Sequence, residues 1–257
     1  MRWSYSRLST FRHCKYEFYL NYIIANDDVY LNEGNFYAEN GSYVHEILEK
    51  IFKGILQTDE AAEYYLNHFD ENVFYKTRQS IMDKKINASI DYLANVDFVW
   101  MDGYEILGVE KELNFKIGEH DMIAFVDLLL REKDTGKIIV IDHKSGAYPL
   151  TKTGKIAKNY EKTFDGYRHQ AYIYAHGIYA EYNTFPTFFC WNHFTDGGRF
   201  VELPFSEDDY RETLNWVEET ITEAENETEF PENRDFFYCT QLCGFRKSCE
   251  YAAEDWS

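Results

Sequence analysis

Apolar positions change their period twice along this chain, separating helical stretches from a strand-forming middle. Over 4–24, Leu8, Phe11, Tyr16, Phe18, Tyr19, Leu20, Tyr22 and Ile23 predict one helix with a core-facing side, capped by Ser4 or Ser6. Over 41–56, Val44, Ile47, Leu48, Ile51, Phe52 and Ile55 recur at spacings of three and four and predict a second helix. Residues 60–95 contain neither Pro nor Gly and read as further helix. The period then shortens. Segments 105–117 and 122–130 alternate or run apolar with branched residues, and 137–141 is a short apolar run, so three strands follow in succession. A helix over 164–180, a strand over 185–193, an acidic helix over 207–227 and a compact cysteine-bearing end over 239–251 complete the reading. This order predicts one α/β or α+β domain over 1–257, with a helical part over 40–100 and a sheet core over 104–195.

Composition narrows the classes. The chain has 257 residues, 45% hydrophobic and 28% charged, which excludes wholesale disorder and allows a sizeable core. No apolar run approaches the roughly 18 residues of a membrane helix, and the first residues lack a signal-peptide core. A soluble, intracellular (cytoplasmic) protein with no membrane partner is expected. The net charge of −19 argues against nucleic acid, which binds through Lys and Arg. The charge is segregated, however. Segment 202–235 holds thirteen acidic residues against Arg211 and Arg234. Segment 144–169 holds Lys144, Lys152, Lys155, Lys158, Lys162 and Arg168 against Glu161 and Asp165. Either two solvated faces of opposite sign or a local polyanion site fits this pattern.

The most informative segment runs from Met122 to Gly146. Asp134-Thr-Gly136 is a turn signal between two apolar runs and predicts an antiparallel hairpin. With the turn at 133–136, Asp127 falls opposite Asp142, and Asp142 and Lys144 share a strand face. Two carboxylates and a lysine converging among apolar strands are costly unless compensated. A hard divalent cation with oxygen ligands would relieve the repulsion, and a lysine beside it suits phosphodiester hydrolysis. The plainer alternative is an edge salt bridge between Asp142 and Lys144, with Asp127 merely beginning a loop.

Asp127 with Asp142-His143-Lys144 resembles the active site of the PD-(D/E)XK nuclease superfamily. Gly41-Ser-Tyr-Val-His45 resembles the glycine-to-histidine helix motif of its RecB-like branch, which includes AddB and the CRISPR-associated exonucleases. Val109-Glu110, Ala124-Phe-Val-Asp127 and Gln170-Ala-Tyr-Ile-Tyr174 are similar to further motifs of that branch, in order. Ala124 replaces the usual glycine, and His143 stands where tyrosine is common. Glu110 and Glu112 share a strand face, and Glu110 is the favoured match. The resemblance implies a restriction-endonuclease-like core, a mixed central sheet flanked by helices. It implies Mg²⁺ or Mn²⁺ held by His45, Asp127, Asp142 and the His143 carbonyl. Lys144 would act on water, Gln170 and Tyr174 would support it, and Glu110 would join the catalytic set.

Five cysteines in an intracellular chain point to metal binding rather than disulfides. Cys239, Cys243 and Cys249 cluster and want a fourth thiolate, from Cys14 or Cys190. Cys190 sits in an apolar strand, where cysteine acts as a small hydrophobe. The resemblance implies that Cys14 joins the late trio around a 4Fe–4S cluster closing the domain. Zinc, or reduced thiols without metal, are the alternatives.

The resulting expectation is a metal-dependent DNA nuclease, an exonuclease on single-stranded DNA or DNA ends. Lys152, Lys155, Lys158 and Arg168 would contact phosphates, and the acidic helix over 207–227 is a candidate face for a protein partner. The alternative is a nuclease-like subunit that binds DNA or protein without cleaving.

Overall fold

A computed structural model describes residues 1–25 and 30–251. The helix expected over 4–24 is split. α1 (Tyr5–His13) starts at Ser4, whose hydroxyl accepts from the Arg7 N–H at 3.3 Å, and ends where Cys14 turns extended at φ −148°, ψ 109°. The Cys14 thiol then accepts from the Glu17 N–H at 3.4 Å and caps α2 (Lys15–Phe18), which runs into a π-helical turn at Tyr19–Ile23. One cysteine ends one helix and begins the next.

α3 (Phe36–Phe52) starts ahead of its apolar run because Asn35 accepts from the Ala38 N–H at 2.9 Å. The helical stretch that follows is three helices, α4 (Ala61–Asn67), α5 (Phe69–Asn72) and α6 (Gln79–Asn95). It breaks after Asn72 because the Glu39 carboxylate takes the N–H groups of Phe74 and Tyr75, both at 2.8 Å. A side chain from α3 satisfies the backbone that a continuous helix would have paired.

The sheet has five strands in the order β1-β2-β3-β4-β5. They are β1 (Tyr104–Ile117), β2 (His120–Glu132), β3 (Ile138–Lys144), β4 (Phe188–His193) and β5 (Arg199–Pro204). All neighbours are antiparallel except β3 and β4, which are parallel. A parallel pair needs a crossover, supplied here by α7 (Glu161–Tyr182). α8 (Glu207–Asn226) follows β5. The mixed sheet with flanking helices is the expected architecture, with β5 as an edge strand the apolar pattern does not announce. Arg199, Phe200, Glu202 and Pro204 of β5 are exposed and only Val201 is buried, so the strand has no repeating apolar face.

One face of the sheet packs Leu113, Phe115, Val126, Val140 and Trp191 against α7 and α8, through Tyr172, Ile178, Val217 and Ile221. A second core joins α3, α4 and α6 through Val44, Ile47, Tyr65 and Leu93. Both cores reach the Lys144 end of β3, so helices α3 and α7 flank the same strand end. Asp209 and Glu212 of the acidic α8 hold Arg168, while Glu223 and Glu227 hold Lys15. No helix among the described residues is long and apolar enough to cross a membrane.

Candidate active site

The hairpin forms in the expected register. Arg131 pairs with Ile138 and Leu128 with Ile141, and the turn closes with Gly136 at φ +70° donating its N–H to the Glu132 carbonyl at 2.8 Å. The ladder ends at Leu128–Ile141, just short of the expected pair of Asp127 with Asp142. Beyond it the Asp127 carboxylate accepts from the His143 N–H at 2.7 Å.

A kink in β1 and in β2 aims the acids. Ala124 and Val126 of β2 face the main core, whereas Leu128 and Leu130 face the opposite side, so the alternation reverses at Asp127. β1 reverses too, with Val109 on one side and Leu113 on the other. The rungs Val109–Leu128 and Lys111–Val126 set Glu110 across from Asp127, and Glu110 has φ +48°. A non-glycine residue in this region costs about 1–2 kcal/mol. Such strain persists where the surroundings impose it, as at functional sites. The reversal delivers both carboxylates to one cleft, and Glu110 rather than Glu112 enters it. Glu112 instead pairs with Arg2 at 3.6 Å.

α3 supplies His45, whose Nδ1 lies 3.4 Å from Asp127 Oδ2. Gly41, one turn earlier, lets α3 approach the loop after β3, since a Cβ there would meet Ser145 Oγ at 3.3 Å. His45, Glu110 and Asp127 each offer a ligand atom within 4.8 Å of the others, the only such group of His, Cys, Asp and Glu among the described residues. On the other side of Asp127, Asp142 is 5% exposed and its Oδ2 pairs with the Lys144 ammonium. The same ammonium donates to Gln170 Oε1 at 2.8 Å, and Gln170 Nε2 donates to the Tyr174 hydroxyl at 2.7 Å. Tyr174 thus fixes the amide orientation that presents Oε1 to the lysine. The lysine also lies 4.6 Å from the centroid of the Tyr167 ring.

Crowded acids leave an electrostatic mark. Burial, then the charge of Asp142, pushes the Asp127 carboxyl well above the usual carboxylate range. Burial, with Glu49 and Asp142, raises Glu110. Burial lowers His45, opposed by Asp142 and by a hydrogen bond with the His143 backbone. A neutral imidazole and two carboxylates that resist ionising together fit a divalent cation, which supplies the missing positive charge. Imidazole among oxygen donors suits Mn²⁺ as well as Mg²⁺. The cleft above them has a volume of about 500 Å³ and also admits Tyr37, Glu49, Lys144 and Tyr167.

Other expected residues lie elsewhere. None of Lys152, Lys155 and Lys158 borders this cleft. Arg168 is held by Asp165, Asp209 and Glu212 at 2.7 to 3.0 Å and ties α7 to α8. The His143 side chain is fully enclosed, and its Nδ1 meets Asn192 Nδ2 at 3.0 Å. Cys14, Cys239, Cys243 and Cys249 border one small cavity with Tyr16 and Glu17, while Cys190 is buried in β4. The four sulfurs do not approach within 4.8 Å of one another as a set, although tetrahedral zinc would bring thiolates to about 3.8 Å. Burial and the neighbouring Glu17 raise the Cys243 thiol to about 12.

A sheet-borne acid pair, a lysine two residues beyond, and a facing helical histidine define a nuclease-type α/β core. The chain belongs to the PD-(D/E)XK nuclease superfamily, whose family model matches residues 2–250. Among solved structures, it is similar to a crystal structure from Eubacterium rectale named a "putative exonuclease". The two share 12% identity at a TM-score of 0.55, over 90% of this chain and 84% of that one. No curated protein matches the chain by sequence.

Tyr167 is the residue at this site that sequence reasoning missed. It precedes Gln170 by three positions and Tyr174 by seven, on one face of α7, so helical spacing from the glutamine would have found it.

Proposed function

We propose that this protein is a divalent-metal-dependent deoxyribonuclease, an exonuclease acting on single-stranded DNA or DNA ends. The observation that carries this reading is Lys144, held between Asp142 and Gln170 beside the His45–Glu110–Asp127 group. His45, Glu110 and Asp127, with Asp142 and the His143 carbonyl beside them, would hold Mg²⁺ or Mn²⁺. When bound, the metal supplies Lewis-acid stabilisation of charge on the scissile phosphate. The protein's own contribution is positioning. An ammonium has three N–H donors. Lys144 gives one to Gln170 Oε1 and forms an ion pair with Asp142, which leaves it a donor for a phosphate oxygen or the attacking water. Water adds to phosphorus, the phosphorus–oxygen bond to the departing sugar breaks, and the products are an alcohol and a phosphate monoester.

The motif order supports the RecB-like branch. The bordering of one cavity by Cys14 and the three late cysteines supports a four-cysteine metal centre, which the family resemblance makes a 4Fe–4S cluster. The whole chain would then act as one nuclease domain.

End-labelled single- and double-stranded DNA, incubated with the purified protein and Mg²⁺, Mn²⁺ or chelator, tests the activity. Cleavage should require metal, and Lys144→Ala or Asp142→Ala should lower its rate by about 10² to 10⁴-fold, the range for a lost acid–base or positioning group. Wild-type cleavage by Asp142→Ala would remove this assignment. DNA binding without cleavage under any metal would establish the non-cleaving subunit instead.

A further inference from the structure

Beside the catalytic cleft lies a larger groove of about 920 Å³, and Tyr37 lines both. Its walls come from distant parts of the chain: Lys76 and Arg78 ahead of α6, and Phe236, Phe237 and Arg246 from the C-terminal segment. No acidic side chain among the described residues lines it, in a chain of net charge −19. The contrast with another cleft is sharp, since that one is lined by Asp91, Asp97 and Asp196 and by no lysine or arginine. We infer that the basic groove is a track for single-stranded DNA that feeds the catalytic cleft past Tyr37, an inference that rests on the nuclease reading above.

The chemistry of the walls selects this ligand. Phe237 is 56% exposed, an aromatic face open at the groove wall. Flat aromatic faces next to cations are how single strands are held, with bases stacked and the backbone tracked by charge. A duplex keeps its bases stacked on each other and offers no base face to such rings. Arg246 is anchored, donating to the carbonyls of Glu33 and Cys243 at 3.3 and 3.2 Å. Lys76 and Arg78 are exposed, and Arg78 makes no ion pair among the described residues. α6 begins just after Arg78 with no acid in its first turn, so its N-terminal N–H groups add to the pull on phosphate. Thr77, Thr240 and Gln241 supply neutral polar contacts between the charged and aromatic positions.

Fluorescence anisotropy with labelled dT20, using the full chain and Ca²⁺ in place of Mg²⁺, tests the track, while cleavage of the same strand with Mg²⁺ or Mn²⁺ is scored separately. Phe237→Ala should weaken binding by about tenfold, the loss expected for one stacked base. Joint Lys76→Gln and Arg78→Gln should flatten the slope of log affinity against log salt by about 1.4, two phosphates at 0.7 each. Both changes are at exposed positions, and circular dichroism checks that the fold is kept. Unchanged affinity in the variants, or a slope that responds only to neutralising Lys152, Lys155 and Lys158, overturns the track and leaves the nuclease reading standing. Groove-dependent binding without cleavage supports the track and overturns the nuclease reading. Binding of duplex that equals dT20 and ignores Phe237→Ala, or no binding by the unaltered chain, also overturns the track. So does preferential capture of a proline-rich or acidic peptide over dT20.

Discussion

His45, Glu110, Asp127, Asp142 and Lys144 are set by α3 and three adjacent strands, whereas Cys14, Cys239, Cys243 and Cys249 are set by a kink between two short helices and by a C-terminal segment with one π-helical turn. Around the first group Ile47, Leu128 and Ile141 are at most 3% exposed, and the strand ladder fixes the backbone. Around the second, the buried set is only Tyr16, Leu20, Cys243 and Phe245. The carboxylates are therefore held in mutual repulsion by a core that does not depend on metal. Around the thiols the chain ends are joined by side-chain pairs, Tyr238 with Glu17, Tyr16 with Glu250 and Lys15 with Glu223 and Glu227, rather than by a strand ladder. One set is fixed by a sheet and its core, the other by polar and aromatic pairs between the chain ends, to which a metal bound by the proposed cysteine set would add.

The sharpest way to break that contrast is at the cysteines. Cys14→Ser should abolish the bound metal and any brown absorption near about 400 nm, as should Cys239→Ser, Cys243→Ser and Cys249→Ser. Because metal-binding energy is folding energy, about 10–16 kcal/mol for structural zinc in small peptides, the ends should separate and the C-terminal segment become protease-sensitive. Cys190→Ser should keep the metal, since burial in β4 raises that thiol to about 12 and leaves it an inert hydrophobe. Full metal content in Cys14→Ser would show that the four cysteines are not one centre. Colourless protein with one zinc per chain would keep the staple and exclude iron.

The two centres also differed in how far they could be read in advance. The hairpin register was legible because Asp134-Thr-Gly136 fixes the turn and the turn fixes the register. His45, Gln170 and Tyr174 were singled out by the family resemblance, and helical spacing says only that Gln170 and Tyr174 share a face. What was not legible depends on partners far away in sequence. The break after Asn72 is caused by Glu39, and Arg168 is captured by Asp209 and Glu212. The basic groove needs 76–78 and 236–246 side by side, which net charge alone concealed. The left-handed Glu110 has no sequence signal, because glutamate is not a residue that favours that region.

Of intermediate size is the effect of relieving the acid pair. Asp127 is held above the ordinary carboxylate range, so the folded protein binds its proton more tightly than the unfolded chain does. Stability from this group is complete below the unfolded value, about 3.9, and is lost as pH rises through the raised folded value. Metal-free protein should accordingly gain stability on acidification from neutral pH toward that value. Asp127→Asn should remove this sensitivity and raise the metal-free unfolding temperature at pH 7 by several degrees, about 1–3 kcal/mol. Mn²⁺ should raise the unfolding temperature of the unaltered protein and not that of the variant. If Asp127→Asn is less stable without metal, the carboxylate is a structural acceptor for the His143 N–H before it is a ligand.

The smallest effect isolates the backbone from the charge. Glu110 combines φ +48° with a carboxyl raised by burial, Glu49 and Asp142. Glu110→Ala and Glu110→Gly both remove the carboxylate, and both should lose the Mn²⁺-dependent rise in unfolding temperature. They differ in what the backbone contributes. Alanine keeps the left-handed penalty of about 1–2 kcal/mol, whereas glycine escapes it but gives the unfolded chain about 0.5–1 kcal/mol more freedom. Metal-free Glu110→Gly should therefore be more stable than Glu110→Ala by about 0.5–1 kcal/mol, the reverse of the order at an ordinary strand position. Thermal unfolding of the two variants in chelator measures this difference directly. An alanine variant more stable than the glycine one by about 0.5–1 kcal/mol, the order at an ordinary strand position, would mean that the kink at Glu110 stores no strain, and that the strands reverse their faces there without cost.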